Sequence, residues 1–470
     1  MKKVFFILLI FISLFSQAQK QGNIWCFAEY SGLDFTAGTP VPITNGQIHS
    51  TGDNSEGCSS ICDSTGKLLF YASPNNIWNR NHSFMSNGTG LLGGISSTQG
   101  VLIIPQPGSN DLFYVFTLDE FQNNLVNGLR YSIVNMCFDN GLGAVDSTNK
   151  NILLLDSTGE KMTATFHSNG TDIWLVTRKH FSNEFYSFLI TPSGISNPII
   201  SAVGWANPQK GIPNAIGQMK ISPDGSKLAF AVENQVPNIV QLFDFNNSTG
   251  IVSNSIDLPT STNSGGAYGV SFSPDNSKLY IWGPAPTGLN QFNLSSNIPD
   301  TIKNSLFNVP WTGGYGGTGL QLANNGKIYV CQPPNIGVIN FPNLAGSACN
   351  FVGNAMTSNS SYTFPGFIDN FKYKNGIPNC GDGINELSLN NNISIFPNPF
   401  STETTISING QPQMNNGEFI MYDVFGRVVK KFKPQTLNFK FERGNLSSGI
   451  YFYKVSADGK ILGTGKVIVE

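Results

Sequence analysis

Ser222-Pro-Asp-Gly225 followed by Ser226-Lys-Leu-Ala-Phe230, and again Ser273-Pro-Asp-Asn276 followed by Ser277-Lys-Leu-Tyr-Ile281, are the stretches that decide the fold of this chain. In each, a turn aspartate accepts backbone hydrogen bonds, Gly or Asn tolerates positive φ, and the alternation that follows lays one face of a strand on a core. The same turn and strand recur at Asp63-Ser-Thr-Gly66 with Lys67 to Tyr71, Pro107-Gly-Ser-Asn110 with Asp111 to Val115, Ser168-Asn-Gly170 with Thr171 to Val176, and Asn324-Asn-Gly326 with Lys327 to Val330. Turn positions 66, 110, 170, 225, 276 and 326 are separated by 44, 60, 55, 51 and 50 residues, a spacing that fits one four-stranded sheet per repeat. Sheets with two apolar faces must pack face to face, and a closed ring leaves no terminal face exposed. The repeats therefore predict an all-β chain with a seven-bladed β-propeller over residues 19–373. The seventh inner strand is expected at Phe364-Pro-Gly-Phe-Ile-Asp-Asn-Phe371, beside Asn23-Ile-Trp-Cys-Phe27, so that the N-terminal strand closes the last blade and removes both free edges.

The Ser-Pro-Asp-Gly turns resemble those of WD40-like, Tol-associated and lactonase-type propeller repeats, a resemblance that implies a fold and no activity. Asn23 to Thr117 also resembles the opening of secreted propeller proteins of gliding and related bacteria, through Gly32-Leu-Asp-Phe35, Glu56-Gly-Cys58, Trp78-Asn-Arg-Asn81, Asn87-Gly-Thr-Gly90 and Ser97-Thr-Gln99. Composition agrees with a turn-rich β protein. Of 470 residues, 50 are Gly and 26 Pro, and charged residues make up only 12% against the usual quarter or so. Lys and Arg number 27 against 29 Asp and Glu, a net charge of −2. That leaves no basic field for a phosphate backbone, and nucleic acid is excluded as a partner.

At the N-terminus, Lys2 and Lys3 precede an apolar run from Val4 to Phe15, and Ser16-Gln17-Ala18 forms a small-x-small site before Gln19. This reads as a signal peptide over residues 1–18, cleaved between Ala18 and Gln19. The 12-residue run falls short of the roughly 20 residues that span a bilayer, so no transmembrane anchor is expected. Export permits disulfides among Cys26, Cys58, Cys62, Cys137, Cys331, Cys349 and Cys380, and an odd count leaves at least one unpaired. Cys58 and Cys62, at a spacing that fits neither a redox pair nor a zinc site, read as buried small hydrophobes.

Composition shifts after Tyr373. Residues 374–392 are polar and turn-rich and read as a linker, and residues 393–470 alternate again as a small Ig-like β-sandwich. Phe396-Pro-Asn-Pro-Phe400, Tyr422-Asp-Val-Phe-Gly-Arg-Val428, Leu446-Ser-Ser-Gly-Ile-Tyr-Phe452 and Gly465-Lys-Val-Ile468 appear there in order. This closely resembles the type A C-terminal sorting domain of the type IX secretion system. The resemblance assigns the sorting role to Pro397, Asn398, Pro399, Asp423, Gly426, Arg427, Leu446, Gly449, Tyr451 and Lys466. It implies passage through the inner membrane and periplasm, then recognition by the type IX translocon and sorting machinery. In that family the domain is commonly removed and the cargo attached to surface polysaccharide or released. Removal is expected near Asn385 to Asn392. The terminal Val469-Glu470 stands where that family commonly has a basic residue.

Signals for chemistry are sparse. His49, His82, His167 and His180 form no metal spacing, and there is no Gly-x-Ser-x-Gly elbow. Propeller sialidases carry Ser-x-Asp-x-Gly turns and an arginine cluster, whereas only Arg80, Arg130 and Arg178 fall in this propeller. Gly313 to Gly319 lacks the Lys and helix of a phosphate loop, and no calcium loop occurs. Asp224 and Asp275 read as turn caps. No metal and no cofactor are expected. Trp78, Trp205, Trp282, Trp311 and Tyr315 lie near loops, and Trp311 and Tyr315 are the candidate ligand contacts, since aromatic rings in a weakly charged mouth suit sugars or proteins. The sequence thus favours a non-catalytic glycan- or protein-binding module at the outer cell surface over an enzyme. The competing reading is an extracellular polysaccharide hydrolase or lyase, its carboxylates brought together from different blades in the propeller channel.

Overall fold

The computed structural model describes residues 20–49, 56–206, 215–233, 239–259, 266–283, 288–310, 319–357, 363–368, 373–380, 393–408, 416–457 and 460–470. The chain forms two compact units, Met1–Gly381 and Asp382–Glu470. It is nearly all β: among the described residues one α-helix occurs, Pro299–Lys303. None is long and apolar enough to cross a membrane.

In the first unit the repeats become antiparallel meanders. Ser59–Cys62, Leu68–Ala72, Asn76–Asn79 and Phe84–Thr89 pair in chain order. So do Met219–Ile221, Lys227–Val232, Ile239–Asn246 and Ile251–Asp257; Val270–Phe272, Lys278–Trp282, Leu289–Asn293 and Phe307–Asn308; and Leu320–Leu322, Ile328–Gln332, Asn335–Ile339 and Phe351–Thr357. Val101–Pro105, Leu112–Leu118, Leu129–Asn135 and Ala144–Val145 pair in turn, and Ala144–Val145 joins Phe84–Thr89 in parallel, so that this ladder and the first make one nine-stranded sheet. Another sheet starts at Thr158–Phe166, and Ile24–Phe27, Ser31–Asp34 and Val41–Ile43 form a three-stranded one. The first strand of each repeat is buried along its whole length, whereas the last, as in Ile251–Asp257 and Phe351–Thr357, is mostly open. First strands also lie beside one another: Ser59–Cys62 by Val101–Pro105, Thr158–Phe166 by Met219–Ile221, Met219–Ile221 by Val270–Phe272, and Val270–Phe272 by Leu320–Leu322. Burial that falls from first strand to last, with first strands gathered at the centre, is the arrangement of a β-propeller.

The turns act as their composition requires. Ser222 Oγ donates to Asp224 Oδ1 at 2.6 Å, which also accepts from Ser226 N at 3.0 Å, and Gly225 sits at φ +74°. Ser273, Asp275 and Ser277 repeat these bonds at 2.7 and 3.0 Å, with Asn276 at φ +64°. Both aspartates are turn caps.

Where the chain returns toward its beginning, the described residues of the expected closing segment are 364–368. Trp25 packs against Phe364 and Phe367, with ring centroids 5.5 and 5.7 Å apart. The strand-type contact is a parallel bridge from Pro365 to Cys58 of the neighbouring sheet, with Gly366 N donating to Cys58 O at 2.7 Å. Proline has no N–H to give a continuous ladder, so the segment is held by its neighbours' rings and by single bonds.

Residues 374–392, read as a linker, divide. Lys374 to Cys380 belongs to the first unit as a strap: Gln21 Nε2 donates to Asn375 O at 3.0 Å, Gly376 N to Asn110 Oδ1 at 2.6 Å, and Asn379 N to Asp111 Oδ1 at 2.7 Å. Cys380 is disulfide-bonded to Cys137. Irregular backbone with this many partners is not a free tether. Residues 381–392, including the expected removal point, lie outside the described residues, as do the signal peptide, Ala18 and Gln19. Cys26, Cys58, Cys62, Cys331 and Cys349 are not disulfide-bonded, and all are buried.

The second unit has a three-stranded sheet, Ile393–Phe396, Glu403–Ile408 and Asn438–Glu442, and a four-stranded one, Val428–Phe432, Glu418–Tyr422, Gly449–Ala457 and Lys460–Val469. Ile406, Phe419, Met421, Phe441, Val455 and Val467 from both sheets share one core.

Candidate functional site

The centre of the first unit is filled by long polar side chains. Gln99 accepts from Met219 N at 2.8 Å and donates to Met219 O at 3.1 Å. Gln218 Oε1 accepts from Val270 N at 3.2 Å and Leu320 N at 3.0 Å, and Lys220 Nζ donates to Gln321 Oε1 at 2.6 Å. Each of these side chains bonds across to another sheet. The cavity left among them is about 10 Å³, room for roughly one water.

At one end of this centre is an ionisable cluster that the sequence reading missed. Glu160 Oε2 accepts from the backbone N and Oγ1 of Thr98, both at 3.0 Å, and its Oε1 accepts from Phe121 N at 2.7 Å. Burial raises its pKa, and those donors work against the rise. Lys161 Nζ donates to the carbonyls of Ala215, Ile216 and Gly217 at 2.7, 2.5 and 2.9 Å. Burial lowers its pKa, and the Glu160 carboxylate opposes the fall. Lys161 is spent on backbone carbonyls, and Glu160 on two backbone N–H groups and the Thr98 hydroxyl.

Glu56 is different: Tyr268 Oη donates to its Oε2 at 2.8 Å, and burial, aided by Glu160, Glu233 and Glu120, pushes it up to about 8. Burial raises Glu233 as well. Arg178 lies against Phe185, Trp205 and Phe230 at 5.9, 5.8 and 5.1 Å, and burial lowers His180 to about 4, helped by Lys161 and Arg178. The adjacent Glu160-Lys161 pair within an alternating stretch was the available signal, because two charges on opposite faces of a strand require partners on both sides.

Of the flagged aromatics, Trp78 and Trp282 are buried, Trp78 stacking on Tyr71 at 5.5 Å, and Trp205 lies under Arg178. They are packing residues. Trp311 and Tyr315 lie outside the described residues. Asp111, Cys137 and Cys380 converge as a possible metal trio, but two are joined in the disulfide and are not free as thiolate ligands.

In the second unit the ordered motifs become turns and anchors. Asp423 Oδ1 accepts from Phe425 N and Arg427 N at 2.9 and 3.0 Å, and Arg427 Nε donates to its Oδ2 at 2.7 Å. Gly426 is at φ +77° with open space where a Cβ would stand, so backbone conformation and not crowding selects glycine there. Asn398 Oδ1 accepts from Ile468 N at 2.8 Å and its Nδ2 donates to Lys466 O at 3.3 Å, pinning the last strand to the segment of Pro397 and Pro399. Leu446 packs on the core, Gly449 is at φ +156°, and Tyr451 Oη donates to Ser447 O at 2.9 Å. Register places Tyr422, Phe452 and Lys466 in one transverse row. The structure thus joins the Pro-Asn-Pro segment to Lys466 directly, and reaches the Asp423 turn through that row.

Residues 394–470 match the family described as the secretion system C-terminal sorting domain. This unit is a sorting domain. It directs the chain through the type IX system to the cell surface or beyond. The sorting domain leaves Phe396 and Phe425 80% exposed, with Ile450 and Phe452 about half exposed on the outer face of its larger sheet. No curated protein matches the chain. Among solved structures, PorZ, a surface component of the type IX secretion system of Porphyromonas gingivalis, is 14% identical at a TM-score of 0.34, covering 94% of this chain, which spans 62% of that one. A putative 6-phosphogluconolactonase from Bacteroides uniformis is 14% identical, with 71% and 94% covered and a TM-score of 0.46. The β-propeller domain of Cps50 (Swd1) from Myceliophteria thermophila is 10% identical, with 67% and 96% covered and a TM-score of 0.40.

Proposed function

We propose that residues 19–373 are a seven-bladed β-propeller closed at its last blade by the N-terminal strand, that residues 393–470 are an Ig-like sandwich, and that the propeller acts at the cell surface as a non-catalytic module binding glycan. The supporting observation is the filled centre. The cavity among the central side chains, about 10 Å³, has no carboxylate in its lining and is too small for a sugar ring, and Glu160 already accepts three hydrogen bonds. Binding is then a matter of the outer surfaces and the loops, where Trp311 and Tyr315 are the proposed contacts, and the type IX translocon is the partner of the sorting domain during export. Co-sedimentation of the secreted protein with a panel of soluble and insoluble polysaccharides, followed together with new reducing ends, tests this. Binding without new ends supports it, and absence of binding moves the search to protein ligands.

A specific observation favours the second reading, a polysaccharide hydrolase or lyase. Glu56, held at about 8, keeps its proton at neutral pH as a general acid must. New reducing ends that vanish in Glu56→Gln would establish that reading instead.

A further inference from the structure

A second cavity of about 240 Å³ lies away from the channel, between two adjacent sheets and under the strap. One wall is the end of Val101–Pro105 and the turn after it. Another is the end of Thr158–Phe166 and the start of Ile173–Lys179, and the third is Lys374-Asn375. The cavity has room for several waters. It is smaller than the roughly 300 Å³ at which sites for drug-sized ligands begin, so its occupant is of the size of one ring.

The three walls differ in chemistry. Pro105, Phe166 and Ile173 give an apolar surface, Asn110 and Thr171 an amide and a hydroxyl, and Lys374 a cation. Among the described residues Lys374 has neither hydrogen bond nor ion pair, and its Nζ stands 3.6 Å from where a Cβ on Gly170 would be, so the side chain reaches over to the facing turn. The strap carrying Lys374 is fixed before any ligand arrives. Asn375 Nδ2 donates to Cys62 O at 3.3 Å, Gly376 N to Asn110 Oδ1 at 2.6 Å, and the Cys137–Cys380 bond holds its far end. A wall ordered by its own chain costs little entropy when a ligand binds.

We propose that this cavity binds an acidic sugar residue of a polysaccharide, its carboxylate on Lys374, its C–H face against Phe166 and Ile173, and its hydroxyls toward Asn110 and Thr171. The requirement is for a ring with one apolar face, several hydroxyls and one negative charge. A neutral sugar would leave the ammonium without a counterion, and a simple carboxylate would leave the apolar wall bare. The proposal rests on the glycan reading above and narrows it to a site and a class of sugar.

The test is titration calorimetry of the full secreted chain with galacturonate trimer and with cellotriose as the neutral control, repeated for Lys374→Gln and Lys374→Glu. Lys374 is exposed, so both variants are expected to fold; an unchanged thermal midpoint and an intact disulfide check this. The wild type should bind the acidic trimer, more weakly as salt is raised. Lys374→Gln should lose about tenfold and Lys374→Glu all measurable binding. Equal affinity of wild type and Lys374→Gln, or equal binding of cellotriose, overturns the proposal. Failure of the acidic trimer while other polysaccharides still co-sediment overturns this site and leaves the glycan reading standing. Failure of the whole panel overturns both.

Discussion

Glu56 gains its proton affinity from burial at the end of a packed channel, and that affinity has a sign that can be measured. Its folded pKa of about 8 lies above the ordinary 4.5. Between these values the folded state holds a proton that the unfolded chain has released, and stability falls as pH rises through that window. Lys161, lowered by burial, runs the other way at higher pH, so the informative quantity is the difference between wild type and Glu56→Gln. From pH 6.5 to 8.5 the denaturant midpoint of the wild type should drop relative to that of the variant. Parallel profiles would mean that Glu56 titrates normally. Residues whose partners lie within the same turn were legible in advance: Asp224 and Asp275 bond to the neighbouring serines of their own turns. Glu56, Glu160 and Lys161 were not, because their partners Tyr268, Thr98 and Ala215 to Gly217 lie in loops distant in the chain, and no local pattern brings them together.

The strap is the clearest case at the scale of an element. Removing a native disulfide typically costs about 2–5 kcal/mol, and the one here joins positions 243 residues apart. The double variant Cys137→Ser/Cys380→Ser should lose stability of that order, read from denaturant unfolding, and added reductant should then change nothing further. If the variant unfolds at the wild-type midpoint, the strap is held by its hydrogen bonds alone. The other five cysteines are buried, with burial pushing Cys62 up to about 12 and Cys26 and Cys58 upward as well. A thiol reagent should find no fast-reacting group in the native protein and five in denaturant, and a fast native thiol would contradict the burial. The meanders were readable from their turns and alternation. The strap was not, since polar irregular sequence looks alike whether it is free or bonded, and its partners Asn110, Asp111 and Cys137 lie far earlier in the chain. The bridge from Pro365 to Cys58 was equally hidden, since the two residues are far apart in the chain.

For the whole molecule the prediction concerns destination. Deleting 393–470 should leave the first unit folded, because it has its own compact core, and stranded in the periplasm. Fractionation checks this, and normal surface display of the truncated chain would remove the sorting role. The division into two units and the export route could be read from repeat spacing and from four ordered C-terminal motifs. The two cavities could not, since a void is defined by side chains that meet only after folding. The strap has one more consequence, which is mechanical. Tension drawn from the C-terminal side enters the first unit at Cys380 and passes by a covalent bond to Cys137. The segment between those two residues, which carries Phe364 and Phe367, forms a closed loop outside the line of force. A translocon pulling on the sorting domain would therefore not draw Phe364 and Phe367 directly off Trp25.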